Sequence, residues 1–258
     1  MQEKINVLLT ISYLGTNYAG WQIQKNANTV QAELEKAFFK IFNEKIEVVG
    51  SGRTDAGVHA KNAKANAILP LCFVKKHFFK ENKFNFSTLQ NSLNQLLPED
   101  IKILSIKKVN LNFNARFNAK QKTYEYKIQC GGILSPFNCF NTVLINQKLD
   151  IKKMQKASKF LLGEHDFSAF CSAKTEIENK VRTIFDIKIK QNKNIITFEI
   201  TGNGFLYNMV RIIVGTLVDV GSGKIFPEDV KKILESQDRT NASKTLPAKG
   251  LTLKNVKY

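Results

Sequence analysis

The chain has 258 residues, enough to bury a sizeable core, and 43% of them are apolar, too many for wholesale disorder. Its formal net charge is +17, which points to a polyanionic partner, because Lys and Arg at phosphates give salt-dependent, sequence-neutral affinity. No run of about eighteen uncharged apolar residues occurs, so no transmembrane helix and no membrane partner are expected.

Met1-Gln2-Glu3-Lys4 leads straight into residues 5–13, which alternate apolar and small polar side chains like a half-buried strand. Without an apolar h-region and cleavage site, no signal peptide is expected. The loop at 15–22 carries the only Trp, Trp21, either as a packing residue or as a stacking platform for a base. Asn28-Thr29 offers an N-cap, and Val30, Leu34, Ala37, Phe38 and Ile41 fall on one helical face. A short strand at 46–49 then enters GSGRTDAGVHA, residues 50–60. Residues 61–86 interleave Lys with Phe, with a further strand near 65–69. A helix at 87–97 ends at Pro98, and 101–109 reads as another strand.

The second half predicts a strand at 123–130, a helix at 151–162, strands at 181–190 and 195–201, helices at 205–220 and 227–236, and a closing strand at 251–256. This order fits two α+β subdomains, 1–109 and 110–258, with largely antiparallel sheets, better than a doubly wound α/β fold. Cys72, Cys130, Cys139 and Cys171 form no Cys-x-x-Cys pair, and the three histidines are dispersed. A reduced, cytoplasmic, metal-free protein is the expectation.

Composition also isolates the arginines. Lys, Asn, Ile and Phe are abundant together, as an AT-rich genome would encode, so codon bias is a second source of the charge. Against that background only five of the 39 basic residues are Arg: Arg53, Arg116, Arg182, Arg211 and Arg239. A surviving Arg marks a place where a planar, bidentate fork is useful. Four of the five fall in segments singled out on other grounds.

Two segments carry candidate chemistry. Residues 50–60 hold three glycines framing Arg53 and Asp55, which reads equally as an ordinary Asx-turn and as a loop built to present a carboxylate and a guanidinium. Residues 205–220 make a helix apolar nearly all round, hence buried. Arg211 is its only charge between Leu206 and Val218. Arg211 either snorkels to solvent or takes a carboxylate or anionic ligand, because an unpaired buried charge costs several kcal/mol. Asp55 is the candidate partner, and the pairing would keep it ionised near neutral pH. On the strand at 123–130, Tyr124, Tyr126 and Ile128 share one face. Tyr126 reads as core, and the pattern leaves Tyr124 open. His59 is expected to be packed and hydrogen-bonded, and His165 to sit at a helix-to-loop corner.

GSGRTDAGVHA resembles the catalytic motif of the tRNA pseudouridine synthase A family. The resemblance extends over nearly the whole chain: Tyr13-Leu14-Gly15, Gly20-Trp21-Gln22, Asn114-Ala115-Arg116-Phe117, Tyr124-Glu125-Tyr126, residues 163–167, residues 202–211 and Pro247-Ala248-Lys249-Gly250-Leu251. It implies a pseudouridine synthase fold with two subdomains flanking a basic cleft. Asp55 matches the family's nucleophile, Tyr124 its uracil-contacting tyrosine, and Arg53, Arg211 and Leu251 match residues lining the same pocket. It further implies a homodimer, no cofactor, and a target in the anticodon stem-loop of tRNA, positions 38–40. Two departures stand out: residues 61–67 are polar and basic where the family has a Gly-Gln pair and an apolar strand, and Leu246 stands where a small residue is usual. A non-catalytic RNA-binding protein on the same scaffold is the main competing reading. A phosphodiesterase built on the Asp–Arg pair would need a second acidic or histidine cluster for metal, which the sequence lacks.

Overall fold

The computed structural model describes residues 3–80, 83–173, 175 and 177–258; Met1 and Gln2, read as leading into the N-terminal strand, lie outside the described residues. The first half runs β1 (Lys4–Tyr13), α1 (Val30–Phe42), β2 (Val48–Gly50), β3 (His59–Pro70), α2 (Leu71–Phe78), the short pair β4 (Phe79–Lys80) and β5 (Lys83–Phe84), α3 (Phe86–Leu96) and β6 (Ile101–Val109). The second runs β7 (Gln121–Cys130), β8 (Val143–Ile145), α4 (Ile151–Ser158), β9 (Gly163–Asp166), β10 (Val181–Asn192), β11 (Ile195–Gly202), α5 (Met209–Gly221), α6 (Asp229–Ser236) and β12 (Leu251–Lys257). Two units divide the chain: residues 1–119 with 253–256 and 258, and residues 120–252 with 257.

In the first unit β1 lies between β3 and β6, antiparallel to both. Ile5, Val7, Leu9, Ile11 and Tyr13 are buried on one face of β1, the period-two signature of a strand. The helices supply matching apolar stripes. Thr29 caps α1, its side chain accepting from Ala32 N, and Val30, Leu34, Ala37 and Phe38 are buried at helical spacing. Leu89 and Leu93 of α3 are also fully buried.

The opposite face of this sheet explains the polar segment 61–67, which forms most of β3. Lys64 Nζ donates to Thr10 Oγ1 at 2.6 Å, and Ser105 Oγ donates to the same oxygen at 2.9 Å. Burial, followed by the nearby Lys107 charge, lowers the Lys64 pKa from its ordinary value. Asn66, buried on the same strand, donates to Asn6 Oδ1 at 3.1 Å and accepts from Ala115 N at 2.8 Å. The Asn6 amide in turn donates to the carbonyls of Asn110, Leu111 and Phe113. These polar side chains are satisfied by distant strands, so a strand forms where local hydrophobicity is weak. The same network ties residues 110–115 to β1 and β3, which is why the unit extends to Ala119 instead of ending at 109.

In the second unit the strand order is β7-β11-β10-β9, each neighbour antiparallel, with β8 parallel to β7. Tyr126 and Ile128 of β7 are fully buried and Tyr124 nearly so. The all-round apolar helix is α5, with Ile212, Ile213, Val214, Leu217 and Val220 fully buried as expected. It starts at Met209 instead of 205 because Asn208 takes a left-handed conformation, φ 61°. The corner expected at His165 is the strand β9, and His165 Nε2 lies 2.7 Å from the Leu162 carbonyl. Both units are α+β with largely antiparallel sheets. Among the described residues no helix is long and apolar enough to cross a membrane.

Candidate active site

The glycine-rich loop connects β2 to β3 in the first unit, and residues 13–21 hold it from beneath. Ser51 N donates to Lys64 O at 2.7 Å, fixing the entry, and Val58 N donates to Asp55 O at 3.1 Å, closing a turn around Gly57 at φ 77°. Trp21 N donates to Thr54 O at 3.0 Å, Gly57 N donates to Tyr18 O at 3.3 Å, and the Thr54 and Tyr13 hydroxyls lie 2.8 Å apart. Trp21 is buried, and its ring would sit 2.5 Å from a Cβ on Gly50. It is therefore a packing residue and not a base platform.

Close approach of two backbones sets the remaining geometry. A Cβ on Gly15 would overlap the Val58 carbonyl oxygen, and one on Gly20, at φ 97°, would lie 2.5 Å from Thr54 O. Gly15 N donates to His59 Nδ1 at 2.9 Å, so Nδ1 is the acceptor and the ring of this buried histidine bolts the two loops together. His59 is the packed, hydrogen-bonded residue that its position predicts. On this frame Asp55 is half-buried and Arg53 exposed. A carboxylate on so constrained a backbone is positioned before any substrate arrives, which is what a catalytic group requires.

The second unit holds Tyr124, Arg211 and Leu251. Tyr124 lies on β7 opposite Ile200, and the Phe205 ring meets it edge-on at 5.1 Å and 85°. Arg211, half-buried in the first turn of α5, donates from Nε to Leu246 O at 2.7 Å and from Nη1 to Asn208 Oδ1 at 2.7 Å. Asn208 thus spends its side chain on the guanidinium instead of capping α5. Tyr126 OH donates to Pro247 O at 2.7 Å, and Gly250 lies against the Tyr126 ring, where a Cβ would sit 2.5 Å from Cζ. Burial pushes the Tyr126 phenol up in pKa, and the Arg211 charge draws it partly back. Arg211, Tyr126 and the segment 246–251 are therefore one cluster, with the buried Leu251 at its end.

The sequence left Arg211 either snorkelling to solvent or paired with a carboxylate or anionic ligand, and gave no sign of Asn208 or the Leu246 carbonyl. One acceptor is a backbone carbonyl 35 residues away and the other an amide three residues before Arg211, and a pattern of charges displays neither. Because Leu246 contributes its carbonyl, its unusually large side chain leaves that contact intact. Asp55 and Arg53 belong to the first unit, and Tyr124, Arg211 and Leu251 to the second. Among the described residues no three His, Cys, Asp or Glu side chains converge as a metal-binding group.

Comparison with known proteins identifies the architecture. The family model described as tRNA pseudouridine synthase matches residues 9–118 and 157–258. The chain is 47% identical over 253 residues to tRNA pseudouridine synthase A of Caldicellulosiruptor saccharolyticus, covering 98% of this chain and 99% of that protein. The synthases of the same name from Acetivibrio thermocellus and Clostridium acetobutylicum are each 44% identical over the same shares of both chains. Matched along nearly its whole length by such relatives, and by the family model over both of its units, the chain belongs to the tRNA pseudouridine synthase family.

Proposed function

We propose that the chain isomerises uridine to pseudouridine in transfer RNA, with Asp55 as the catalytic carboxylate and the anticodon stem-loop, positions 38–40, as the target. The observation that carries the assignment of Asp55 is the rigid loop that holds it, on a motif matching the family's catalytic one. The N1–C1′ bond breaks, the uracil turns, C5 joins C1′, and the C5 proton is lost while N1 gains one. Atoms balance without redox cofactor or nucleotide. One ionised carboxylate suffices, either attacking C1′ or taking the C2′ proton. The uridine must leave its stack, at about a few kcal/mol, and the Tyr124 ring is a suitable surface to receive it. Arg53, exposed beside Asp55, takes the flanking phosphate or fills the vacated stack, and Arg211 and Leu251 line the uridine pocket. The excess of Lys grips the RNA backbone and gives a steep salt dependence.

Tritium release from 5-tritiated uridine in tRNA tests the reading, because C5 loses its hydrogen only when it becomes the glycosidic carbon. Release by the wild type is expected, and none on any tRNA would overturn it. Arg211→Lys keeps the charge but cannot supply two fixed donors to Leu246 O and Asn208 Oδ1. Two charge-assisted hydrogen bonds are each worth about 1.5–3 kcal/mol, so turnover is expected to fall about tenfold or more; a change under twofold would remove Arg211 from the site.

The homodimer implied by the family resemblance is also proposed. Ile133 and Phe137, between β7 and β8, are 95% and 94% exposed and offer apolar surface for such a contact. Sedimentation at twice the monomer mass is the expected result, and sedimentation at the monomer mass contradicts it.

A further inference from the structure

The turn at 114–118 is a second exposed feature of the first unit, and no role assigned above uses it. Asn114 Oδ1 accepts from Arg116 N at 2.9 Å and from Phe117 N at 3.2 Å. Asn118 closes the same turn, its Oδ1 accepting from Asn114 N at 2.8 Å and its N donating to Asn114 O at 3.0 Å. Ala115, fully buried, is pinned from both sides: its N donates to Asn66 Oδ1, and its carbonyl accepts from Tyr258 OH at 3.1 Å. Tyr258 packs its ring on Phe113 at 4.9 Å and accepts a hydrogen bond from the Ser51 side chain, at the entry of the Asp55 loop. This much fixation supports no buried apolar side chain beyond Ala115. What it holds out is Phe117, 77% exposed, with the Arg116 guanidinium over its ring at 5.5 Å from the centroid.

A scattered exposed apolar residue is ordinary. A Phe on a turn with every neighbour anchored, covered by one of the five arginines among 39 basic residues, is a different object. A ring with a guanidinium 5.5 Å from its centroid forms a cation–π surface, and an exposed aromatic face beside an Arg receives an unstacked nucleobase with little dependence on its identity. Because the turn is already ordered, binding there loses little conformational entropy. The immediate neighbours of Phe117 are Arg116 and Asn118, both exposed, a polar and cationic setting suited to a phosphate backbone.

We propose that Arg116 and Phe117 form a stacking platform for an unpaired base of the RNA substrate other than the target uridine, Phe117 under the base and Arg116 also meeting its phosphate. The proposal rests on the functional reading above. Binding of an unmodified tRNA transcript and its tritium release are measured for the wild type, Phe117→Leu, Phe117→Trp and Arg116→Gln. Phe117→Leu keeps apolar bulk and removes the π face; about tenfold weaker binding and a matching rise in KM are expected, with kcat within about twofold. Phe117→Trp retains wild-type affinity. Arg116→Gln lowers the slope of log affinity against log salt by about one, and Phe117→Leu leaves that slope unchanged. If the wild type turns over and Phe117→Leu binds as it does, the platform alone is overturned, and altered self-association without altered RNA binding has the same consequence. A wild type that neither binds nor isomerises tRNA overturns both proposals.

Discussion

Asp55→Asn is expected to lower turnover of 5-tritiated tRNA by at least about 10⁴-fold, the scale on which removal of a nucleophile acts. Asn has nearly the same shape as Asp and can still accept and donate hydrogen bonds, but it can neither attack C1′ nor remove a proton. The loop around it is held chiefly by other groups: Ser51 N to Lys64 O, Trp21 N to Thr54 O, Tyr13 to Thr54, and Gly15 N to His59. Folding should therefore be unaffected, with a melting temperature close to that of the wild type and tRNA affinity within a few-fold. A non-catalytic RNA-binding protein on this scaffold predicts the opposite, function intact in Asp55→Asn. Tritium release within tenfold of wild type would remove Asp55 from the chemistry.

The second large effect arises without touching any side chain that meets substrate. Gly15→Ala places a methyl group into the Val58 carbonyl, and backbone cannot give way as a flexible side chain can. Either the loop carrying Asp55 shifts, or residues 15–17 withdraw and the bond from Gly15 N to His59 Nδ1 lengthens. Displacement of a catalytic group by about 1 Å costs on the order of 10²-fold in rate, and overpacking costs about 1–3 kcal/mol in stability. The expected variant binds tRNA nearly normally, melts several degrees lower and turns over about 100-fold more slowly. Turnover within threefold of wild type would mean that the loop tolerates the shift and that its rigidity is not what positions Asp55.

Both effects act on the loop at 50–60, whose three glycines around one Arg and one Asp read equally as an ordinary turn and as a site until the resemblance along the rest of the chain is added. The strand β6 and the capped helix α1 were legible by themselves, because capping and periodicity are local signals. The obscure parts depend on distant partners. Nothing local announces α2, whose Phe73 and Phe78 pack against Phe42 of another helix while Lys75 and Lys76 face solvent. The polar run in β3 reads poorly as a strand until Thr10 and Asn6 supply hydrogen bonds to Lys64 and Asn66. At the site, the need for a partner at Arg211 was evident from burial, but the acceptors found here are a carbonyl 35 residues later and an amide one turn earlier.

The closing strand carries a consequence for biosynthesis. Residues 253–256 and Tyr258 belong to the first unit, which otherwise ends at Ala119. β1 occupies one edge of β3, β12 borders β3 as well, and Asn62 Nδ2 donates to Lys254 O at 3.2 Å. While the ribosome makes the intervening residues, roughly 7–28 s at about 5–20 residues per second, the nascent first unit has no β12 on β3 and no Tyr258 beside Ser51. Through that interval part of β3 is an open strand edge, the feature most prone to pairing with a neighbouring chain. The lysines and asparagines of its polar run, which cost the strand its local signature, are also the residues least suited to such pairing. Tyr258 therefore completes the support of a loop made some two hundred residues earlier.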